Sequence, residues 1–165
     1  GYYIIDTDVL SRKAVESRAV KDSLCSRFGS DIIVDGELDR RELARRAFAS
    51  PEATAALNAI TPPEITRLAV IEIHKAQDSG AKAAVIDAAL LFESDLACLC
   101  GKTVCITADD SVRLRRIIER DGLSETDALM RIAAQPPQEF YAKQSDIIID
   151  NGDGADLRKA IDCLF

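Results

Sequence analysis

No apolar run in the 165 residues approaches the ~18 that a helix needs to cross a bilayer, so no membrane span is read from the sequence. No C-x-x-C pair occurs. Of the five cysteines, Cys25, Cys98, Cys100, Cys105 and Cys163, only the middle three lie close together, and not at the paired spacing of a zinc site. They read as reduced, mostly buried thiols, which favours the cytosol. Positive charge is scarce as well: 21 Lys and Arg stand against 28 Asp and Glu, a net charge of -7. Nucleic acid and anionic membrane both demand a basic surface, so general affinity for either is excluded. An anionic small molecule has to be caught by a local basic cluster. There is no internal repeat and no low-complexity tract, and the single histidine, His74, reads as a surface or packing residue.

What is present is an ordinary globular composition, 47% hydrophobic and 30% charged. A chain of this length fits one domain and buries roughly 70% of its unfolded surface, enough for a core without disulfides or metal. Four apolar runs read as strands: Tyr2 to Ile5, the stretch "AAVIDAALLFE", the stretch "KTVCITA" and the stretch "DIIID". Helical patterns separate them, around residues 9–28, 39–58, 62–79, 109–120, 124–135, 137–144 and 154–164. Strands alternating with helices predict an α/β fold with a parallel sheet covered on both faces, and Tyr2 to Ile5 are expected to be buried beside another strand. Turns are marked by "FGSD", "VDGELD", "TPPE", "DSGAK" and "DNGDG".

In such sheets the ligand site lies at the carboxyl ends of the strands, and those ends are acidic here. Asp6 and Asp8 close the first strand, Asp87 lies in the second with Glu93 just after it, and Asp150 with Asn151 closes the last. A carboxylate there can take a proton from an attacking hydroxyl or hold Mg²⁺ through water, both needs of phosphoryl transfer. Equally, Asp6 or Asp8 can simply cap the following helix. The segment "DDSVRLRRIIERDG" puts Arg113, Arg116 and Arg120 on one stripe of a helix, with Arg115 off it and Arg131 on the next helix. Such a stripe suits a polyphosphate, or else a solvated face whose partners are Asp109, Asp110, Glu119 and Asp121. Arg113 is expected nearer solvent than Arg116.

Several stretches carry a resemblance. "DTDVLSRKAV" presents Asp-x-Asp with an arginine four residues after the second aspartate; "RFGSDIIVDGELDRRELARRAF" presents Phe-Gly, then Asp-Gly-x-Leu-Asp-Arg, then Leu-Ala and Phe. "LNAITPPEI", "VIDAALLFES", "RIAAQ" and "SDIIIDNG" follow in order. In that order and spacing they resemble the dephospho-CoA kinase family, P-loop kinases related to the nucleoside monophosphate kinases. The resemblance departs at Pro62, where the family has His, at Ala89, where it has Pro, and at Tyr141, where a basic residue is common.

The resemblance implies a three-layer P-loop kinase fold. It also implies a single kinase domain with its core at residues 1–8, 80–110 and 145–165, an acceptor-binding helical insertion at about 9–79 and a lid at about 111–144. The reaction it implies is transfer of the ATP γ-phosphate, with Mg²⁺, to the ribose 3′-hydroxyl of dephospho-CoA. Asp8 would be the base, and Arg12 would bind the acceptor with Asp6, Phe92 and Glu93 beside it. Arg116 would stabilise the transferring phosphoryl group. Arg120, Arg131 and Asn151 would serve ATP, and Asp87 would act on Mg²⁺ through water. Small-molecule substrates, a cytoplasmic place and a monomer or weak homo-oligomer follow from the same likeness. In the family a first strand, a Gly-x-x-x-x-Gly-Lys-Ser/Thr loop and a helix stand before residues like "GYYIID". The chain is therefore expected to start inside the protein and to be inactive alone, with the strands carrying Asp87 and Cys105 left apart. Two other readings stay open: another nucleotide or small-molecule kinase of this fold, and a non-catalytic nucleotide- or CoA-binding or scaffold protein.

Overall fold

The computed structural model describes residues 1–162, in two compact units that divide at Leu99 and Cys100. The first unit runs β1 (Tyr2–Asp6), α1 (Thr7–Ala14), α2 (Arg18–Phe28), β2 (Ile33–Val34), β3 (Glu37–Leu38), α3 (Arg40–Ala47), α4 (Pro51–Ile60), α5 (Pro62–Asp78) and β4 (Ala83–Asp87). β1 and β4 pair in parallel, from Tyr2 opposite Ala83 to Asp6 opposite Asp87.

Two of the expected helices are each divided. The pattern over 9–28 breaks after Val15, where Ser17 turns extended (φ -58°, ψ 131°) and a new helix starts. The pattern over 39–58 breaks at Ser50, whose hydroxyl accepts from the Ala53 N–H while Pro51 takes the first helical turn. A helix continuing through Pro51 would lose a hydrogen bond and clash with the preceding turn, so "SPE" is a start signal inside an otherwise helical stretch. The turn "VDGELD" is more than a turn. Asp35 (φ 51°) and Gly36 (φ 82°) both occupy the left-handed region, the backbone of a two-residue hairpin, and Ile33 and Val34 pair antiparallel with Leu38 and Glu37.

Two apolar clusters hold this unit. Leu24 and Ile32, both fully buried, meet Val15, Val20, Phe28, Leu43 and Ala47 between α2, α3 and α4. Ile5 and Leu10 meet Ala69 of α5 and Leu96 in a second cluster against β1. Arg46 ties the first cluster at its edge: its guanidinium donates to the Phe28 carbonyl at 2.5 Å, to Glu42 at 2.6 Å and to both oxygens of Asp31. Arg45 and then Arg46, by hydrogen bonding, hold the Glu42 carboxyl down to about 2. Truncating Leu24 to alanine removes a fully enclosed side chain. It is expected to destabilise the protein by about 2–5 kcal/mol, read from the shift in the urea unfolding midpoint.

The second unit runs β5 (Val104–Thr107), α6 (Asp110–Asp121), α7 (Glu125–Ala133), α8 (Gln138–Gln144), β6 (Ile147–Asp150) and α9 (Leu157–Asp162). β5 and β6 are parallel, with Thr107 opposite Asp150 at the carboxyl end. At the other end the Asp146 carboxylate accepts from the Thr103 N–H at 2.7 Å and from its hydroxyl at 2.9 Å, which pins the register. Gly122, left-handed at φ 65°, stops α6, and Ser124 caps α7. The closing helix expected over 154–164 begins later, at Leu157; residues 163 and 164, with Cys163, lie outside the described residues.

Parallel strands flanked by helices are thus observed, but not as one continuous sheet. Among the described residues β4 pairs only with β1, and β5 only with β6. Nor is Tyr2 to Ile5 buried throughout. Ile5 is 2% exposed and Ile4 is 61% exposed, because α5 and the second cluster cover one face of β1 and nothing in its unit covers the other. The thiols differ from expectation too: Cys25, Cys98, Cys100 and Cys105 are free, but three are only half-buried and Cys98 lies exposed at a surface 3-10 turn. Burial pushes the Cys100 and Cys105 thiols up.

Candidate active site

The end of β1 separates two carboxylates that the sequence leaves equivalent. Asp6 has extended backbone (φ -84°, ψ 113°), and its Oδ1 accepts from the N–H groups of Asp8 at 2.8 Å and Val9 at 3.1 Å. It is the N-cap of α1. Asp8 sits in the first helical turn, exposed, with no side-chain partner among the described residues. Thr7 fastens the turn from the other side, its hydroxyl donating to the Asp87 carbonyl at 2.8 Å, and buried Leu10 anchors the next turn. Arg12 lies four residues after Asp8 and so on the same face of α1, about 6 Å along the axis. Its side chain is exposed and forms no ion pair among the described residues.

Asp87 ends β4 opposite Asp6, so both carboxylates stand at the carboxyl end of the parallel pair. The chain then turns through 88–94, where Ala88 and Leu91 pack on the second cluster, Phe92 is half-buried and Glu93 is exposed. No group of three or more His, Cys, Asp or Glu able to cage a cation exists among the described residues. One carboxylate at a strand end does fit Mg²⁺, which keeps most of its waters and binds through one or two carboxylates and the phosphates of its nucleotide.

In the second unit the arginine stripe resolves residue by residue. Arg113 donates to Asp110 at 2.9 Å and to Gln135 at 3.3 Å. Its side chain is 23% exposed against 43% for Arg116, so the expectation that Arg113 lies nearer solvent is reversed. The contact with Gln135, just past α7, draws it in. Arg115 pairs with Asp153 at 2.6 Å. Arg120 and Arg131 share one carboxylate, Asp121, at 2.7 and 2.6 Å, and Arg120, then Arg131, hold that carboxyl below its usual range. The ion-paired alternative therefore describes these four. Arg116 differs: its short contact, 2.8 Å, is to the neutral carbonyl of Asn151, and Asp153 stands off at 4.0 Å. Most of its donors stay available.

Arg116 and Asn151 are thus brought together, and so are Arg120 and Arg131. Asn151 is itself set by its N–H, which donates to the Thr107 carbonyl at 2.7 Å. Next to it, at the carboxyl ends of β5 and β6, a cavity of about 210 Å³ is lined by Thr107, Ala108, Asp109, Gln138, Glu139 and Asp150, among others. The Gln138 amide pairs with both backbone groups of Ala108, at 3.0 and 2.8 Å. Sequence reading missed Gln138 and Asp153. Gln138 sits in "AAQPPQE", read as punctuation between helices, and Asp153 in "DNGDG", read as a turn.

Comparison with known proteins gives a consistent picture. The family model described as Dephospho-CoA kinase matches residues 1–156. A dephospho-CoA kinase of Corynebacterium glutamicum is 42% identical over 153 residues, which is 92% of this chain and 76% of that protein. One of Geobacter sulfurreducens is 36% identical, covering 98% of this chain and 84% of its own. Among solved structures, one from Thermus thermophilus superposes with a TM-score of 0.81 at 33% identity, over 99% of this chain and 83% of the other. The dephospho-CoA kinase from Campylobacter jejuni gives a TM-score of 0.66 at 26% identity, over 93% and 78%.

Proposed function

The chain belongs to the dephospho-CoA kinase family, and we propose that its Asp8 is the base that readies the ribose 3′-hydroxyl of dephospho-CoA for the terminal phosphoryl group of ATP. The observation that carries this assignment is the division of labour at the end of β1: Asp6 is spent on the helix cap and Asp8 is left unengaged and exposed. In the transfer the bond from the 3′-oxygen to phosphorus forms, the bond from phosphorus to ADP breaks, and the hydroxyl proton passes to the Asp8 carboxylate.

The other roles follow from chemistry at each place. Arg12, one turn further along α1, holds the acceptor nucleotide, and Phe92 and Glu93 flank it while Asp6 fixes the turn. Arg116, with donors to spare, takes up charge on the transferring phosphoryl group, since planar guanidinium suits equatorial phosphate oxygens. Arg120, Arg131 and Asn151 serve ATP. Mg²⁺ carried on the nucleotide phosphates would be held through water by Asp87, neutralising phosphate charge. The layout assigned to the chain is a core at 1–8, 80–110 and 145–165, an acceptor arm at about 9–79 and a lid at about 111–144. No described helix is long and apolar enough to cross a membrane. A cytoplasmic place is part of the same proposal.

The test is product identity with the full-length protein. Incubation with ATP and dephospho-CoA is expected to yield ADP and an equal amount of product carrying a new phosphomonoester on the ribose 3′-oxygen, located by phosphorus and proton NMR. A preference for a nucleoside monophosphate over dephospho-CoA would reject the reading.

A further inference from the structure

Arginines in this acidic chain are mostly matched to carboxylates. Along α3, Arg45 and Arg46 engage Glu42 and Asp31, and on α5 Arg67 engages Glu64. Arg40 and Arg41, at the start of α3, form no ion pair among the described residues, and neither does Arg12. Their position on α3 is also locally unfavourable. A helix N-terminus carries partial positive charge, so two cations in the first turn oppose the dipole that the Asp39 cap supports. The Asp39 cap and Glu42 in the same turn offset part of that cost, and positions that break a local rule point to a purpose outside the element.

Arg40 does not drift in solvent. Its Nη2 donates to the main-chain carbonyl of Arg12 at 3.2 Å, across 28 residues of sequence. That bond draws a second guanidinium to the end of α1 that carries Arg12 and leaves its remaining N–H donors unused. Arg40 is thus fastened to the main chain of Arg12, the residue one helical turn beyond Asp8, and neither guanidinium has a carboxylate partner among the described residues. Dephospho-CoA carries a diphosphate bridge between its adenosine and its pantetheine arm, and that bridge begins at the 5′ side of the ribose whose 3′-hydroxyl reacts. We propose that Arg40 is a second acceptor-binding residue and closes, with Arg12, a two-guanidinium clasp on that diphosphate. The clasp rests on the reading of Asp8 and Arg12 as the acceptor side. Its charges wait unpaired because the ligand supplies the counter-charge.

A purely structural role makes a different forecast, because Arg40 could matter only by satisfying a carbonyl at the end of α1. The experiment separates the two with steady-state kinetics of the full-length protein and its Arg40→Ala and Arg40→Gln variants. Glutamine keeps a side-chain N–H donor but carries no charge and has a stem two bonds shorter, so a thermal melt accompanies each variant. The clasp expects KM to rise with the melt unchanged, and a KM rise that comes only with a lowered melt overturns it. For the clasp, both variants raise KM for dephospho-CoA by about tenfold to a hundredfold, the scale of a lost charge-assisted hydrogen bond. KM for ATP and kcat change little. If glutamine restores the wild-type KM, or if the loss falls on ATP instead, the clasp is overturned. Should the alanine variant not fold, the glutamine variant alone decides. Wild-type turnover of dephospho-CoA with Arg40 variants indistinguishable from it removes the clasp and leaves the proposed function standing. A wild type that does not use dephospho-CoA at all removes both.

Discussion

Replacing Asp8 by asparagine is expected to slow phosphoryl transfer to dephospho-CoA by about a hundredfold or more while leaving the protein folded, because general-base catalysis is worth that much. Asparagine has nearly the same shape as aspartate, and Asp8 contributes no side-chain hydrogen bond to the fold among the described residues. What is lost is the ability to accept the hydroxyl proton. The neighbouring position supplies the contrast. Asp6→Ala deletes the cap bonds to the Asp8 and Val9 N–H groups, so its primary effect is on stability, about 1 kcal/mol. The measurement is kcat at saturating ATP and dephospho-CoA beside a thermal melt of each variant. Near-normal turnover by Asp8→Asn would take the base away from Asp8.

Arg116→Lys is expected to be almost as damaging as Arg116→Ala, each lowering kcat by about a hundredfold. A lysine keeps the charge but not the planar fork, and the fork here does two things at once. One arm donates to the Asn151 carbonyl at 2.8 Å and orients the group, and the other donors remain for phosphate oxygens. An ammonium can satisfy the carbonyl or the phosphate, with no fixed angle between them. Single-turnover rates at saturating ATP isolate the chemical step from binding. Full rescue by lysine would reduce Arg116 to a surface charge.

Much of this was legible in the chain, and the residues show where legibility stops. The long α5 and the strand-to-helix hand-overs at Asp6 and Asp109 follow from period and composition. Which of Asp6 and Asp8 caps α1 does not follow, because the choice depends on which residue keeps extended backbone, and both are good caps. A contact three residues apart, such as Arg113 with Asp110, can be guessed from helix spacing. Arg115 with Asp153 spans 38 residues and Arg40 with the Arg12 carbonyl spans 28, and no periodicity encodes either. The breaks at Ser17 and Ser50 were written in Ser and Pro, yet the apolar pattern runs on across them; at Ser50 it does so because α3 and α4 feed the same cluster.

The seating of α1 has a mechanical consequence. Leu10 lodges in the cluster built on β1 and α5, whereas Val15, immediately past the helix end, lodges in the cluster of α2, α3 and α4. The short helix is therefore an axle set in two bearings, with Asp8 and Arg12 mounted along the shaft. Close-packed interiors shift as bodies rather than deform smoothly. Any rocking of the helical arm on the strand pair must turn that axle. With Arg12 and Asp8 in their proposed roles, grip on the acceptor and aim of the base are geared to each other, and a nucleotide that fails to settle the arm is expected to leave the carboxylate pointing off line.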